Sequence, residues 1–161
     1  MQEMYNNQPR RSDYSFWWHH DAGYYCIVPT NCIVKKDGTL TMGAGLAKAV
    51  LDEYPNISKS FGRILSLKGQ CVDLVTETKN AGSIYEFVGR FIMFPTKHSW
   101  RDKSTLQLIE FSTDQLLQLA DEKGLNNIFV PKVGCGLGGL NWEDVESLLV
   151  KKLDERFVIS K

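Results

Sequence analysis

The stretch Val130 to Trp142, VPKVGCGLGGLNW, constrains the fold more than any other part of the chain. Glycines at Gly134, Gly136, Gly138 and Gly139 follow an apolar run, Asn127 to Val133, that reads as a buried strand. Asn141 has an N-cap side chain, and Glu143 and Asp144 place negative charge in the first turn of a following helix. The reading is strand, glycine loop, helix. Glycine has no Cβ and tolerates positive φ, so successive amides turn inward and a ligand approaches the backbone closely. The carboxylates already serve that helix N-terminus, so the loop amides are expected to meet an anionic ligand. A tight turn with glycines for packing is the alternative, since short glycine motifs mislead. The spacing Gly134, Gly136, Gly139 also satisfies G-x-G-x-x-G, but a dinucleotide-binding fold needs an acidic residue about 20 positions on, at the end of the next strand. Here the last strand candidate, Phe157 to Ile159, ends in Ser160, and that reading is rejected.

Charge is balanced, 19 basic residues against 19 acidic, so no global field draws the chain to nucleic acid or an anionic membrane. A polyanion must be met locally. A length of 161 residues predicts one domain with a substantial core. No run approaches 18 apolar residues, and MQEMYNNQPRR has no signal-like apolar centre, so a soluble, cytoplasmic protein with no membrane partner is expected. Cys26, Cys32, Cys71 and Cys135 show neither C-x-x-C spacing nor a disulfide framework, which fits reduced thiols.

Residues 1–13 are polar and unpatterned and are read as a flexible segment preceding a single domain over 14–161. Tyr14 to His20 (YSFWWHH) is read as an edge strand or an arm folded over the domain, and Tyr24 to Val28 as a buried strand closed by Pro29-Thr30-Asn31. After the turn at Lys35 to Gly38 comes a second glycine cluster, Met42-Gly43-Ala44-Gly45, and a helix in which Leu46, Ala49, Val50 and Tyr54 recur at helical spacing until Pro55. That helix carries no acid before Asp52, so the amides around Gly43 to Leu46 make the better phosphate site. Asn56 is placed to cap a helix with Ile57, Phe61, Ile64 and Leu65 on one face. Cys71 to Thr76 reads as a strand, Lys79 to Gly82 as a turn, and Ser83 to Phe94 as a strand interrupted by Gly89. Pro95 to Trp100 leaves it as a loop. A helix from about Ser104 to Lys123 buries Leu106, Ile109, Leu116, Leu117 and Ala120 and ends at Gly124 as C′ cap; Trp142 to Leu153 is the last helix. Strands alternating with helices imply a largely parallel sheet covered on both faces, with the loops at Asn31, Lys97 and Gly134 gathered at its carboxyl edge, where ligands of open α/β sheets bind.

Pro29-Thr30-Asn31 with Met42 to Ala47, Phe94-Pro95-Thr96-Lys97-His98-Ser99-Trp100-Arg101, and Pro131 to Trp142 stand in an order that resembles a macrodomain, the ADP-ribose-binding family. The resemblance covers nearly the whole domain. It implies a three-layer α/β/α fold with a mixed, largely parallel central sheet. Its lysine-dependent branch, with the DNA ADP-ribosyl glycohydrolase antitoxins and the terminal ADP-ribose glycohydrolases, looks nearest. Phage and bacterial macrodomains of the ADP-ribose-1″-phosphate phosphatase type are also similar. Carried over, the resemblance puts Gly43 to Leu46 and Gly134 to Gly139 around the diphosphate and distal ribose, with Thr30, Met42, Ala44, Gly45, Val133, Cys135, Gly136, Leu137, Gly138 and Trp100 among the ligand-contacting residues. Asn31 would hydrogen-bond the distal ribose, and Lys97 would act at its anomeric carbon. Asp21 is the candidate for the adenine-contacting aspartate before the first strand. The chain departs from the terminal ADP-ribose group at Gly138, where that group carries a catalytic aspartate, so Lys97 would carry more of the work.

Each residue also has a plain reading. Lys97 could be a surface lysine at a strand end; as a nucleophile its amine needs partial desolvation or a neighbouring cation such as Arg101. Asn31 could be a turn residue after Thr30. Cys135 has no histidine at a pairing spacing and no C-x5-R arginine, so it is read as a small structural residue. His19 and His20 lack carboxylate or cysteine partners at ligand spacing, and no metal or other cofactor is expected. Trp17, Trp18 and Tyr24 are read as packing rather than a base-stacking platform. The expected activity is hydrolysis of an ADP-ribosyl linkage on protein or DNA by a monomer. Removal of phosphate from ADP-ribose 1″-phosphate and a non-catalytic ADP-ribose reader are the alternatives.

Overall fold

The computed structural model describes residues 7–81 and 85–161. Its central strand, β2, is Tyr25–Thr30, and there Cys26, Ile27 and Val28 are each fully buried. Side chains of a strand alternate between faces. Ile27 therefore enters one apolar cluster while Cys26 and Val28 enter another. The same split divides Phe91 and Met93 from Ile92 and Phe94, and Phe129 from Ile128 and Val130. A strand buried on both faces reads as a continuous apolar run, which is why these segments were legible.

The elements in chain order are β1 Arg10–Ser12, α1 Phe16–Asp21, β2, α2 Gly45–Glu53, α3 Ile57–Lys68, β3 Asp73–Ala81, β4 Tyr85–Pro95, α4 Leu106–Lys123, β5 Ile128–Val130, α5 Trp142–Lys152 and β6 Phe157–Ser160. The sheet order is β1-β6-β5-β2-β4-β3, parallel throughout except for the β3–β4 pair. Leu116, Ala120, Val145 and Leu149 from α4 and α5 close one face. Phe16, Val50, Phe61 and Leu65 from α1, α2 and α3 close the other. The result is the expected three-layer α/β/α arrangement with a mixed, largely parallel sheet. Among the described residues no helix is long and apolar enough to cross a membrane.

Several local expectations are corrected. Tyr14 to His20 is not an edge strand. The Ser15 side chain accepts from Trp18 N at 3.0 Å and starts α1, which buries Phe16, His19 and His20 at helical spacing. The periodicity was hidden because two of its inward positions are histidines. Each finds partners: His19 Nδ1 lies 2.7 Å from Ser15 O, and the ring stacks on Phe129 with centroids 3.8 Å apart. His20 bridges the Asp21 carboxylate at 2.8 Å and the Tyr54 hydroxyl at 2.6 Å. Within the segment read as flexible, Arg10–Ser12 pairs with β6 in parallel; residues 1–6 lie outside the described residues. Lys79 to Ala81 continue β3 instead of turning, and Gly82 and Ser83 lie outside the described residues. Gly89 does not interrupt β4: a Cβ there would overlap the Phe91 ring, so the strand needs a glycine for packing. Asn56 sits at the start of α3 but makes no side-chain cap bond. Leu106 is exposed, because α4 begins there, after the Thr105 side chain accepts from Leu108 N at 3.2 Å.

One helix contact is unusually close. A Cβ on Gly62 of α3 would overlap Gly38 O and come within 2.9 Å of Leu40 N. At an exposed helix site Gly→Ala stabilises by about 1 kcal/mol. Here the backbone of the 35–38 turn fills the space, so the sign reverses. Gly62→Ala should destabilise the protein by roughly 1–3 kcal/mol, seen as a lower urea midpoint at unchanged slope.

Candidate functional site

Parallel pairing of β2 with β4 and β5 brings three chain exits to one sheet edge. Asn31 follows β2, Lys97 follows β4 by two residues, and the glycine stretch follows β5. They line a cleft with a volume of about 780 Å³. Of the residues expected at the site, Thr30, Asn31, Met42, Gly43, Ala44, Gly45, Leu46, Lys97, Trp100, Gly134, Gly136, Leu137 and Gly138 line it.

The loops are stitched together. Thr96 N donates to Thr30 O at 2.9 Å and Cys32 N to His98 O at 2.8 Å, so the Lys97 segment is tied to the exit of β2. Lys97 is half-buried. Beyond it, Asp102 N donates to Ser99 O and Ser99 N to the Asp102 carboxylate, a turn that fixes the position of Trp100. Asn31 is buried and works as a turn residue: its Oδ1 accepts from Ile33 N and its Nδ2 donates to Thr41 O, each at 3.0 Å. That second bond anchors the segment leading into Met42 and Gly43. Asn31 therefore has a structural duty as well as a place in the cleft.

Both glycine stretches carry unspent donors. The α2 N-terminus has no side-chain cap and no acid in its first turn. Among the described residues nothing in the protein accepts from the amides of Gly43, Ala44, Gly45 or Leu46, nor from those of Gly136, Leu137 or Gly138. At α5, by contrast, Asn141 Oδ1 accepts from Glu143 N at 3.2 Å and Glu143 and Asp144 occupy the first turn. The amides of the loop and of α2 thus have no acceptor among the described residues, whereas the α5 terminus is served by Asn141 and two carboxylates.

The glycines sort by what surrounds them. Gly134 has φ 75°, and a Cβ there would press on Leu140, Ile109 and Ser104. A Cβ on Gly138 would overlap Ser104 Oγ and lie 2.5 Å from Gly134 O. The fold needs glycine at both. Gly43 and Gly136 have negative φ and nothing within 4 Å of a Cβ. The fold makes no demand for glycine there, so their bareness serves only to keep the cleft floor low.

Four predicted residues lie elsewhere. Val133 is fully buried in the core beneath the loop. Cys135 packs against that core with its thiol 3.4 Å from Val133 O, and burial pushes its pKa up, away from a reactive thiolate. Gly139 lies beside the Lys103 side chain. Asp21 is at the opposite end of β2, bonded to His20, in a small separate hollow with Trp17, Glu53, Lys79 and Phe87. It does not reach the cleft.

Sequence reasoning missed Asp102, Lys103, Ser104 and Lys132, which all line the cleft. Lys132 stood inside the glycine stretch and was a readable signal; Ser104 was assigned to a helix that starts later. With Lys97 and Arg101 they give four cationic residues against one acid, Asp102, on a chain of zero net charge. Trp100 is 52% exposed, with the Arg101 guanidinium 4.8 Å from its ring centre, and Leu137 is 68% exposed.

Residues 36–149 match the Macro domain family model. The chain is 30% identical over 114 residues to the DNA ADP-ribosyl glycohydrolase of Mycobacterium tuberculosis, covering 71% of this chain and 32% of that protein. It is 28% identical over 111 residues to the human ADP-ribose glycohydrolase OARD1, covering 67% of this chain and 64% of that protein. The chain thus spans about a third of the length of the first of these relatives. Among solved structures, the macrodomain of Mycobacterium tuberculosis DarG superposes with a TM-score of 0.74 at 25% identity, covering 96% of this chain and 97% of that one. Thermosipho africanus DarTG in complex with ADP-ribose shares the fold at a TM-score of 0.74 and 24% identity, over 95% of this chain and 41% of that one. With the matched region spanning both glycine stretches and Lys97, the chain belongs to the macro domain family.

Proposed function

We propose that the protein hydrolyses an ADP-ribosyl linkage on DNA, with Lys97 attacking the anomeric carbon of the distal ribose. The observation that carries this is a half-buried lysine sharing one cleft with two stretches of unpartnered amides. Amides at Gly43 to Leu46 and Gly136 to Gly138 suit a diphosphate, which delivers the sugar to the lysine. The lysine nitrogen attacks C1″ as the free amine, the bond to the modified group breaks, and that group leaves with the electron pair. The attacking nitrogen sheds a proton, which balances the one the leaving group takes up. Water then hydrolyses the lysyl–sugar adduct and returns the amine. DNA is favoured over protein because Arg101, Lys103 and Lys132 concentrate positive charge around Lys97 at this one edge of a neutral chain. The names of the bacterial relatives support the same substrate. Asn31, Thr30 and Trp100 are assigned to holding the distal ribose and its attached group.

ADP-ribose should raise the melting temperature without added metal, by mass action on the native state. Gly43→Glu and Gly136→Glu should each fold with an unchanged melting temperature, because both sites have room, and each should abolish that shift by setting bulk and negative charge beside the diphosphate. A variant that folds and still binds as the parent does removes the phosphate assignment.

Lys97 separates binding from chemistry. Lys97→Ala should keep ADP-ribose affinity within a few-fold while turnover of ADP-ribosylated single-stranded DNA falls by a factor on the order of a thousand or more. Lys97→Arg should be almost as damaging, since a guanidinium keeps the charge and is not a usable nucleophile. Borohydride added during turnover should trap an ADP-ribosyl mass on the peptide containing Lys97. Parental rates in Lys97→Arg, with no adduct, would leave the lysine as a charge and move the chemistry to water activated near Asn31.

A further inference from the structure

Among the described residues, the buried side-chain oxygens with no hydrogen-bond partner are Thr30 Oγ1 and Ser104 Oγ, and both residues line the cleft. Ser104 is 4% exposed. A buried hydroxyl without a partner is costly, so its persistence calls for a reason.

The surroundings of Ser104 supply one. Its backbone N donates to Gly138 O at 3.0 Å, and its side chain sits inside the bend of the glycine loop. The point where Gly138 would carry a Cβ overlaps Ser104 Oγ and lies 2.5 Å from Gly134 O. The hydroxyl and the Gly134 carbonyl thus flank the same point without bonding. Gly134 O accepts from Leu140 N at 2.9 Å, which leaves it a second lone pair. Ser104 also ends the segment that runs from Lys97 through Lys103, so a single residue joins the lysine loop to the glycine loop.

We propose that Ser104 is a positioning residue for the glycine loop. Its hydroxyl is unsatisfied in the ligand-free protein and donates to Gly134 O once the loop settles on the ligand. Binding then gains the hydrogen bond that the free protein forgoes, and the loop is drawn towards the segment that carries Lys97. The inference rests on the proposed binding of ADP-ribose at this cleft, and it adds a residue that acts through the glycine loop.

Ser104→Ala tests it. Deleting a hydroxyl that has no partner should leave the melting temperature of the free protein unchanged or higher. The dissociation constant of ADP-ribose should rise about tenfold, with KM rising in step and kcat little changed, because Lys97 is untouched. In the parental protein, ADP-ribose should slow amide exchange at both 43–47 and 134–139. In Ser104→Ala the slowing should be lost at 134–139 and kept at 43–47. A lower melting temperature in the free variant would mean that the hydroxyl is already bonded and merely structural, which overturns the proposal. Affinity within twofold of the parent, or equal loss of protection at both stretches, also overturns it. If the parental protein does not bind ADP-ribose at all, the proposed activity falls and this inference with it. Parental binding that Ser104→Ala leaves intact removes this inference alone.

Discussion

The parallel pairing of β2 with its two neighbours is the constraint from which the rest follows. Strands that run the same way release the chain at the same edge, and each must be covered on both faces before the chain can return. Thr30 pairs with Pro95 at the end of β2 and β4, so the segments carrying Asn31 and Lys97 start side by side. Val130 lies at the end of the adjoining strand and releases the glycine loop beside them. The helices that close the two faces are the return paths. Their packing residues, Val50 and Phe61 on one side and Leu116 and Leu149 on the other, are fully buried. The sheet fixes where the loops begin, and the loops then need only short bonds to one another. Cys32 N to His98 O and Ser104 N to Gly138 O are two of these.

That economy explains why glycine is used in two different ways within a few residues. At Gly134 and Gly138 the loop folds so tightly around Ser104 that a side chain has nowhere to go. At Gly43 and Gly136 there is room, and the only thing a side chain would obstruct is the cleft. A sequence prints the same letter in all four places. Separating packing glycines from clearance glycines needs the coordinates of neighbouring atoms, and it changes which substitutions are informative.

Much of the fold was legible because burial on both faces writes itself as continuous apolar runs. The segments around Ile27, Ile92 and Phe129 were each read as strands on that basis, and the helix through Ile109 and Leu116 was read from its period. Two of the failures share a cause: a polar residue did an apolar residue's job. His19 and His20 face inward on α1 because Ser15, Asp21 and Tyr54 satisfy their nitrogens, so the segment showed no helical pattern. Ser112 and Thr113 do the same on α4, bonding Pro95 O at 2.6 Å and Ile109 O at 2.7 Å while Leu106 stays outside. At the site, most positions carried by resemblance on strand exits or in the glycine bends reached the cleft, but Val133 and Cys135 turned into the core beneath the loop, and Asp21, placed only by its order before the first strand, lies at the far end of β2. Ser104 had no sequence signal at all, since its importance lies in a contact with a loop some thirty residues away.

The departure at Gly138 bears on the chemistry. The resemblance to the terminal ADP-ribose group would set an aspartate there, and the geometry shows why this chain has none: its Cβ would overlap Ser104 Oγ and crowd the Gly134 carbonyl. Among the described residues the acid that lines the cleft is Asp102, which accepts from Ser99 N at 3.1 Å and holds the turn before Lys103. Among the described residues no other carboxylic acid lines the cleft to protonate a leaving group. An amine nucleophile does not need one. Nitrogen that adds to the anomeric carbon becomes positively charged and acidic, and the proton it releases is the one the departing group must gain. Arg101, Lys103 and Lys132 in the same cleft hold negative oxygens well, and the Asp102 carboxylate is engaged by the Ser99 amide. In the mechanism proposed for Lys97, nucleophile and acid would reside in the same side chain at successive moments. In the proposed mechanism a lysine without a partner aspartate is thereby chemically self-sufficient.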